Sequence, residues 1–258
     1  NGISPQEILK QWGADSLRYL SASIKPGAAT AFSDKELVSG KKLVKKLFNA
    51  SKFVFMNLKD YNGKKPKKIM PTDKLFLEKL NSLIEGVTNN FESYELSKAK
   101  AETEYFFWNL FCDNYLEIIK NRVYNGTKEE KESAFYALYC SLLSLLKLIA
   151  PIMPFITEEI YQNNFRKTEK DKSIHISSWP EKIKLGKKQE SNVFDKMLEV
   201  ISEVRQEKSK AQKSMKSEII LTLDKDAHEL LRNVLKDLKA VTNASEINQG
   251  KFNVEFVE

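Results

Sequence analysis

Apolar residues recur at three- and four-residue intervals along most of this chain, and alternate singly only near its C-terminal end. Ser4-Pro5 reads as a helix start, serine at the N-cap and proline at the first helical position. Ile8, Leu9, Trp12, Leu17 and Leu20 then form one stripe to about Ser23. Lys25-Pro26-Gly27-Ala28-Ala29 interrupts it. Ser33-Asp34-Lys35-Glu36 reads as a capping box opening a long helix to Tyr61-Asn62-Gly63. Thr72 is expected to cap a third helix to about Glu92, and Ser93 to begin a fourth carrying Phe106, Phe107, Trp108, Phe111 and Tyr115 to Tyr124. Thr127 caps a fifth that stops at Pro151, and 155–165 is a short sixth. Short loops between these helices predict an up-down bundle over roughly 34–165, with the aromatic stripe in its core.

Beyond Arg166 the pattern changes. Ile174–Ser178 reads as extended, and a helix over 191–213 turns from amphipathic to charged. A strand (Glu218–Leu223), a helix (Ala227–Lys239), a short strand near 244–248 and a last strand (Phe252–Val257) make a small α+β module. The expected fold class is therefore mainly α: a helical bundle followed by that module, with residues 166–258 as linker, helix and module together.

Within the long helix, one segment separates its residues sharply. Stepping from Lys41 at about 100° per residue, Leu43, Val44, Leu47, Phe48, Val54, Phe55 and Leu58 fall between about 200° and 340°. Lys41, Lys42, Lys45, Lys46, Asn49, Lys52 and Phe53 fall between about 0° and 140°. Ammonium groups for phosphates, an amide for a base edge and a ring for stacking are what a nucleic-acid surface requires. The alternative is a lysine-rich solvated face with Phe53 buried against a neighbour.

The formal net charge of +7 over 258 residues favours a polyanionic partner. Its source is almost entirely lysine; the arginines are Arg18, Arg122, Arg166, Arg205 and Arg232. Cys112 and Cys140 lie in apolar helical patterns and read as buried thiols of a reducing cytosol. His175 and His228 stand far apart without a Cys or His at ligand spacing, so no metal site is expected. No phosphate-binding glycine loop and no nucleophile–base spacing appears, so no catalytic residue is expected. Glu158-Glu159 reads as a helix-dipole pair, and Asp195/Glu199 as salt-bridging carboxylates. No signal peptide and no apolar run of membrane-spanning length is read.

Four segments, in order, resemble the C-terminal part of the valyl-tRNA synthetases, a family of class I aminoacyl-tRNA synthetases. They are NGISPQEILKQWGADSLRY with its Gly13-Ala14-Asp15-x-Leu17-Arg18 element, KKLFNASKF (45–53), FCDNYLEIIKNRVY (111–124) and LIAPIMPFITEEIY (148–161). Asn49-Ala50-Ser51 and Pro154-Phe155-Ile156-Thr157-Glu158-Glu159 favour the valyl over the isoleucyl and leucyl families. Phe48 stands where the family usually has Trp, and Lys52 where it usually has Arg, which removes a planar bidentate fork.

The resemblance implies an anticodon-binding helical bundle of the class Ia synthetases over 34–165. Residues 1–33 would be the remnant of a connecting module. It implies that Lys46, Asn49, Lys52 and Phe53 contact the anticodon and that Lys41, Lys42 and Lys45 attract its stem phosphates. Asp15 and Arg18 would form an i, i+3 pair. The partners implied are tRNA(Val) and the catalytic domain of the same enzyme, in a cytoplasmic monomer away from any membrane. The ATP, Mg²⁺ and valine sites would precede Asn1, so this stretch needs no cofactor and is inactive alone as a valine–tRNA ligase. The rival readings are a helical protein-interaction module without an RNA role, and the equivalent part of an isoleucyl or leucyl enzyme.

Overall fold

A computed structural model describes residues 4–25, 27, 33–59, 61, 63–186 and 192–257. In chain order the helices are α1 (Pro5–Trp12), α2 (Ala14–Ser23), α3 (Asp34–Asn57), α4 (Pro71–Glu92) and α5 (Leu96–Tyr105). A π-helix (Phe106–Tyr115) leads into α6 (Leu116–Asn125), followed by α7 (Lys128–Ile149), α8 (Pro154–Asn164) and α9 (Arg166–Glu169). After a 3₁₀ turn (Ile174–Ile176) come α10 (Asn192–Lys210), β1 (Ile219–Leu223), α11 (Lys225–Leu231), α12 (Leu235–Thr242), β2 (Ala244–Gln249) and β3 (Asn253–Phe256). The mainly helical class with a small α+β module is what the sequence predicts. The chain forms two compact units: one from Asn1–Lys64, Leu80–Leu110 and Leu138–Lys184, the other from Lys65–Lys79, Phe111–Ala137 and Leu185–Glu258.

In the first unit, α3 buries Leu37, Leu43, Leu47, Ala50 and Val54 on one side. Ile8 and Leu20 close over Leu37 with Trp12 and Leu17 beside them. Gly40 sets the approach of α2: a Cβ there would lie 3.0 Å from Ser16 Cα and 3.1 Å from Tyr19 Cβ. α7 is long and apolar enough to cross a membrane by length and composition, but 67% of its apolar window is buried in protein, as in a core helix.

The second unit holds a three-stranded sheet of order β2-β1-β3, with β1 parallel to β2 and antiparallel to β3. Ile219, Leu221 and Leu223 point to the buried face of β1, the period-two pattern of a half-covered strand. Arg122 on α6 is buried and donates to both Asp73 oxygens at 2.6 and 2.7 Å and to Asp237 Oδ1 at 2.9 Å. Tyr115 and Ser133 also donate to Asp73, so its lone pairs are filled. Phe76 stacks on Tyr115 with ring centroids 3.7 Å apart.

Several local expectations are corrected. The stripe from Ile8 to Leu20 is two helices, because Gly13 at φ 82° turns the chain between them. The Ser33 box does not close: Ser33 makes no side-chain cap, and Glu36 instead accepts from Ser23 Oγ and pairs with Lys100. α3 stops at Asn57. Thr72 is inside α4, buried, and serves Asp237. Tyr94 at φ 57° delays α5 to Leu96, and the aromatic run is π-helical. Ile174–Ile176 is a 3₁₀ turn, not extended, because Glu158 accepts from Ser173 Oγ and Ile174 N–H and curls the chain. The dipole role expected of Glu158-Glu159 also fails, because α8 starts at Pro154 and places neither residue in its first turn. The single helix of the α+β module is split into α11 and α12. The Thr127–Glu130 box does form, each side chain taking the other's N–H. Asp195 pairs with Lys79 and Glu199 with Lys196. Pro26, Ala28, Ala29, Asn62 and Ser191, which carried break or boundary expectations, lie outside the described residues.

Candidate nucleic-acid interface

The outer face of α3 exposes Lys41, Lys42, Lys45, Asn49 and Lys52, with Phe48 and Met56 among them. Phe48 is 50% exposed and Met56 62%. Phe53 is only half-buried, and Lys46 likewise. The open face is thus rotated relative to the arc read from the sequence, by roughly 40° of helix. The cause is the π-helix: Trp108 packs against the Lys46 edge, its ring centroid 4.6 Å from Nζ. A basic group over an aromatic face is held there by the ring quadrupole. Among the described residues, no aromatic ring covers the opposite edge, where Phe48 stands exposed.

The lysines divide by partner. Lys41 donates to Gln11 O at 3.3 Å and lies 5.4 Å from the Trp12 ring centroid, so it is tethered to the end of α1. Among the described residues no carboxylate forms an ion pair with Lys42, Lys45 or Lys52. These three ammonium groups and the Asn49 amide lie on neighbouring turns of one helix, a geometry that meets a phosphate backbone and a base edge together. Sequence reasoning placed Phe48 in the core. Its position at about 340°, at the margin of the apolar arc and next to Lys41, was the signal that it could face outward.

Asp15 and Arg18 serve the turn into α8. Asp15 accepts from the N–H groups of Phe155 (3.1 Å) and Ile156 (2.7 Å), two of the donors a helix start leaves unpaired. Arg18 donates to Pro151 O (2.7 Å) and Ile152 O (3.0 Å). Both side chains therefore clamp the Pro151–Pro154 turn; among the described residues no direct ion pair joins them, and Arg18 acts on Asp15 through its charge. Burial raises the Asp15 pKa, against the two N–H groups and Arg18, which lower it. His175 lies with Nε2 3.1 Å from Pro154 O, in the same corner. Among the described residues no group of three His, Cys, Asp or Glu is placed to hold a metal ion.

Residues 73–224 match the family described as the anticodon-binding domain of tRNA ligase. The match begins after α3, so the candidate residues of that helix lie outside it. Over 260 residues the chain is 40% identical to the valine–tRNA ligase of Rickettsia felis, covering 96% of this chain and 30% of that protein. It is 38% identical to the valine–tRNA ligase of Ehrlichia ruminantium over 257 residues, 97% of this chain and 31% of that protein. The chain thus spans about 30% of the length of the curated relatives it matches. In three dimensions it resembles the LeuRS of Agrobacterium radiobacter K84, solved in a ternary complex with tRNA and LeuAMS. The TM-score is 0.53 at 14% identity, over 98% of this chain and 30% of that one, a likeness of fold. With more than half of its 258 residues inside the matched segment, the chain belongs to the anticodon-binding domain family of the tRNA ligases.

Proposed function

We propose that this chain is the anticodon-binding portion of a valine–tRNA ligase and that the outer face of α3 meets the anticodon arm of tRNA(Val). The observation that carries the reading is the set of exposed Lys42, Lys45, Asn49 and Lys52 on one helix face of a chain 40% identical to a valine–tRNA ligase. Lys42, Lys45 and, at the tethered end, Lys41 attract phosphates. Asn49 and Lys52 face the anticodon bases, with Lys46 and Phe53 at the Trp108 edge. Stacking falls to Phe53 as the family resemblance implies, and to Phe48, which is the more open ring. Residues 34–165 carry this role, 1–33 the connection to the rest of the enzyme, and 166–258 the C-terminal module. In the whole cytoplasmic, monomeric ligase this binding holds the acceptor end near the catalytic part, where ATP and Mg²⁺ are handled.

The test is a competition titration of this chain with a valine tRNA transcript and the same transcript with a changed anticodon. Tighter binding of the native anticodon, reduced by Asn49→Ala, is the expected result. Equal affinity for both transcripts would remove the anticodon from the reading, and preference for an isoleucine or leucine tRNA would reassign the amino acid.

A further inference from the structure

A second basic surface lies wholly within the other unit. The end of α6, the middle and end of α10, the loop after it and the end of α12 enclose a groove of about 630 Å³. Ile201, Val204 and Val241 contribute to its apolar lining. Its rim carries Lys120, Arg205 and Lys216, and Lys208 lies beneath. The one carboxylate lining it, Glu117, is already engaged by Lys120 at 2.7 Å. Among the described residues Arg205 donates to two neutral oxygens, Asn114 Oδ1 and Asp113 O.

Lys208 is the unusual member. It is 1% exposed, and its ammonium donates to Met215 O (3.0 Å), Ser217 O (2.7 Å) and Thr242 O (2.7 Å). All three protons are satisfied by neutral carbonyls, so its charge is hydrogen-bonded but not neutralised. A buried cation held by carbonyl dipoles, with no ion pair among the described residues, under a groove rimmed by further cations favours an anion in that groove. Beside it stands Tyr124, 55% exposed, a ring at the mouth of a basic groove with no described stacking partner.

We propose that this groove binds a nucleotide unit, its phosphate against Arg205, Lys216 and the Lys208 charge and its base against Tyr124. An acidic peptide would satisfy the cations but leave the aromatic ring without purpose; a phosphate joined to a flat base uses both. The site is separate from the α3 face and does not depend on it. The same chemistry is presented by a free nucleotide and by an unpaired residue of an RNA strand.

The experiment is a fluorescence titration of the full chain with an end-labelled single-stranded oligoribonucleotide, repeated with Tyr124→Ala, Tyr124→Phe and Lys216→Glu. Tyr124 and Lys216 are exposed, so the variants keep the parent's fold, checked by circular dichroism. Tyr124→Ala is expected to weaken binding about tenfold, with Tyr124→Phe restoring it. Lys216→Glu is expected to weaken it and to flatten the log–log salt slope by about one unit. Displacement by adenosine monophosphate assigns the groove to free nucleotides; displacement by RNA alone assigns it to an RNA strand. Unchanged affinity in Tyr124→Ala and Lys216→Glu overturns the proposal, as does displacement by polyglutamate with Tyr124→Ala silent. Asn49→Ala and Lys52→Ala are titrated in parallel: loss there but not at Tyr124 sinks the groove and leaves the anticodon reading, and the reverse sinks the α3 site alone.

Discussion

Phe48 and Phe53 differ in exposure, which gives the proposed stacking role two rings to test. Phe48 is open to solvent beside Lys45 and Lys52, whereas Phe53 is half-buried. Phe48→Ala is expected to cost RNA affinity by about 1–3 kcal/mol with little change in melting temperature, while Phe53→Ala lowers both. Paired binding and thermal-melt measurements separate the two; a Phe48 variant that binds as the parent does would return the stacking role to Phe53. At the buried end of the scale, Arg122 is held by Asp73 and Asp237. Arg122→Leu strands two carboxylates, and breaking a buried pair in this way costs about 3–5 kcal/mol, read as a shifted urea midpoint. The sequence shows Arg122 within a helical stripe but not its partners, which come from 49 and 115 residues away.

Among the elements, the helices whose periodicity is long and unbroken were legible: α7 and α10 stand where their apolar spacing puts them, and α3 does so up to Asn57, short of the end the spacing gave it. The π-helix was not. Phe107, Phe111 and Tyr115 recur every four residues, and Phe106 to Phe111 spans five, a spacing that a wider i→i+5 turn also satisfies. The Ser33 box and the Thr72 cap failed for a different reason: residues distant in sequence took the Glu36 and Thr72 side chains that local sequence assigned to the helix ends. Gly40 is the element-scale constraint on α3. Gly40→Ala gains about 1 kcal/mol of helix propensity but drives a methyl into the Ser16 backbone, at a cost of about 1–3 kcal/mol. Net destabilisation with a displaced α2 is expected, measured by denaturant unfolding. A stabilised variant would show that α2 yields freely.

For the whole molecule, pH and salt act on different groups. Hydrogen bonds from Ser23 and the charge of Lys100 hold Glu36 below its ordinary 4.5, and Lys236 with the Thr127 N–H does the same for Glu130. Burial raises Glu158, yet Gln162, Ile174 N–H and Ser173 bring it below 4.5. For all three the unfolded chain takes up protons first, so their stabilisation is present above pH 4.5 and is lost as pH falls through the lower folded values. Burial shifts Asp15 and Asp237 upward from 3.8, and these two oppose the loss. Glu158→Gln should flatten the acid limb of melting temperature against pH; an unchanged limb would assign the acid sensitivity elsewhere. Salt reports on the proposed α3 interface: if Lys42, Lys45 and Lys52 neutralise about three phosphates, a log–log slope of about −2 to −3 is expected. Each lysine replaced by alanine should remove somewhat less than one unit.

Periodicity and composition by themselves determined that the chain is mainly helical, that a small α+β module ends it and that α3 presents lysines on one face, while the family resemblance rests on its four motif segments. These are properties of residues close in sequence, where side-chain spacing and local caps set the outcome. Tertiary structure alone decided which edge of α3 stays open, that Asp15 and Arg18 hold the turn into α8, and that Lys208 places a carbonyl-bound charge beneath a groove. Each depends on groups brought together from distant parts of the chain, and on burial, which fixes whether a polar group meets water or must find its partner in the protein.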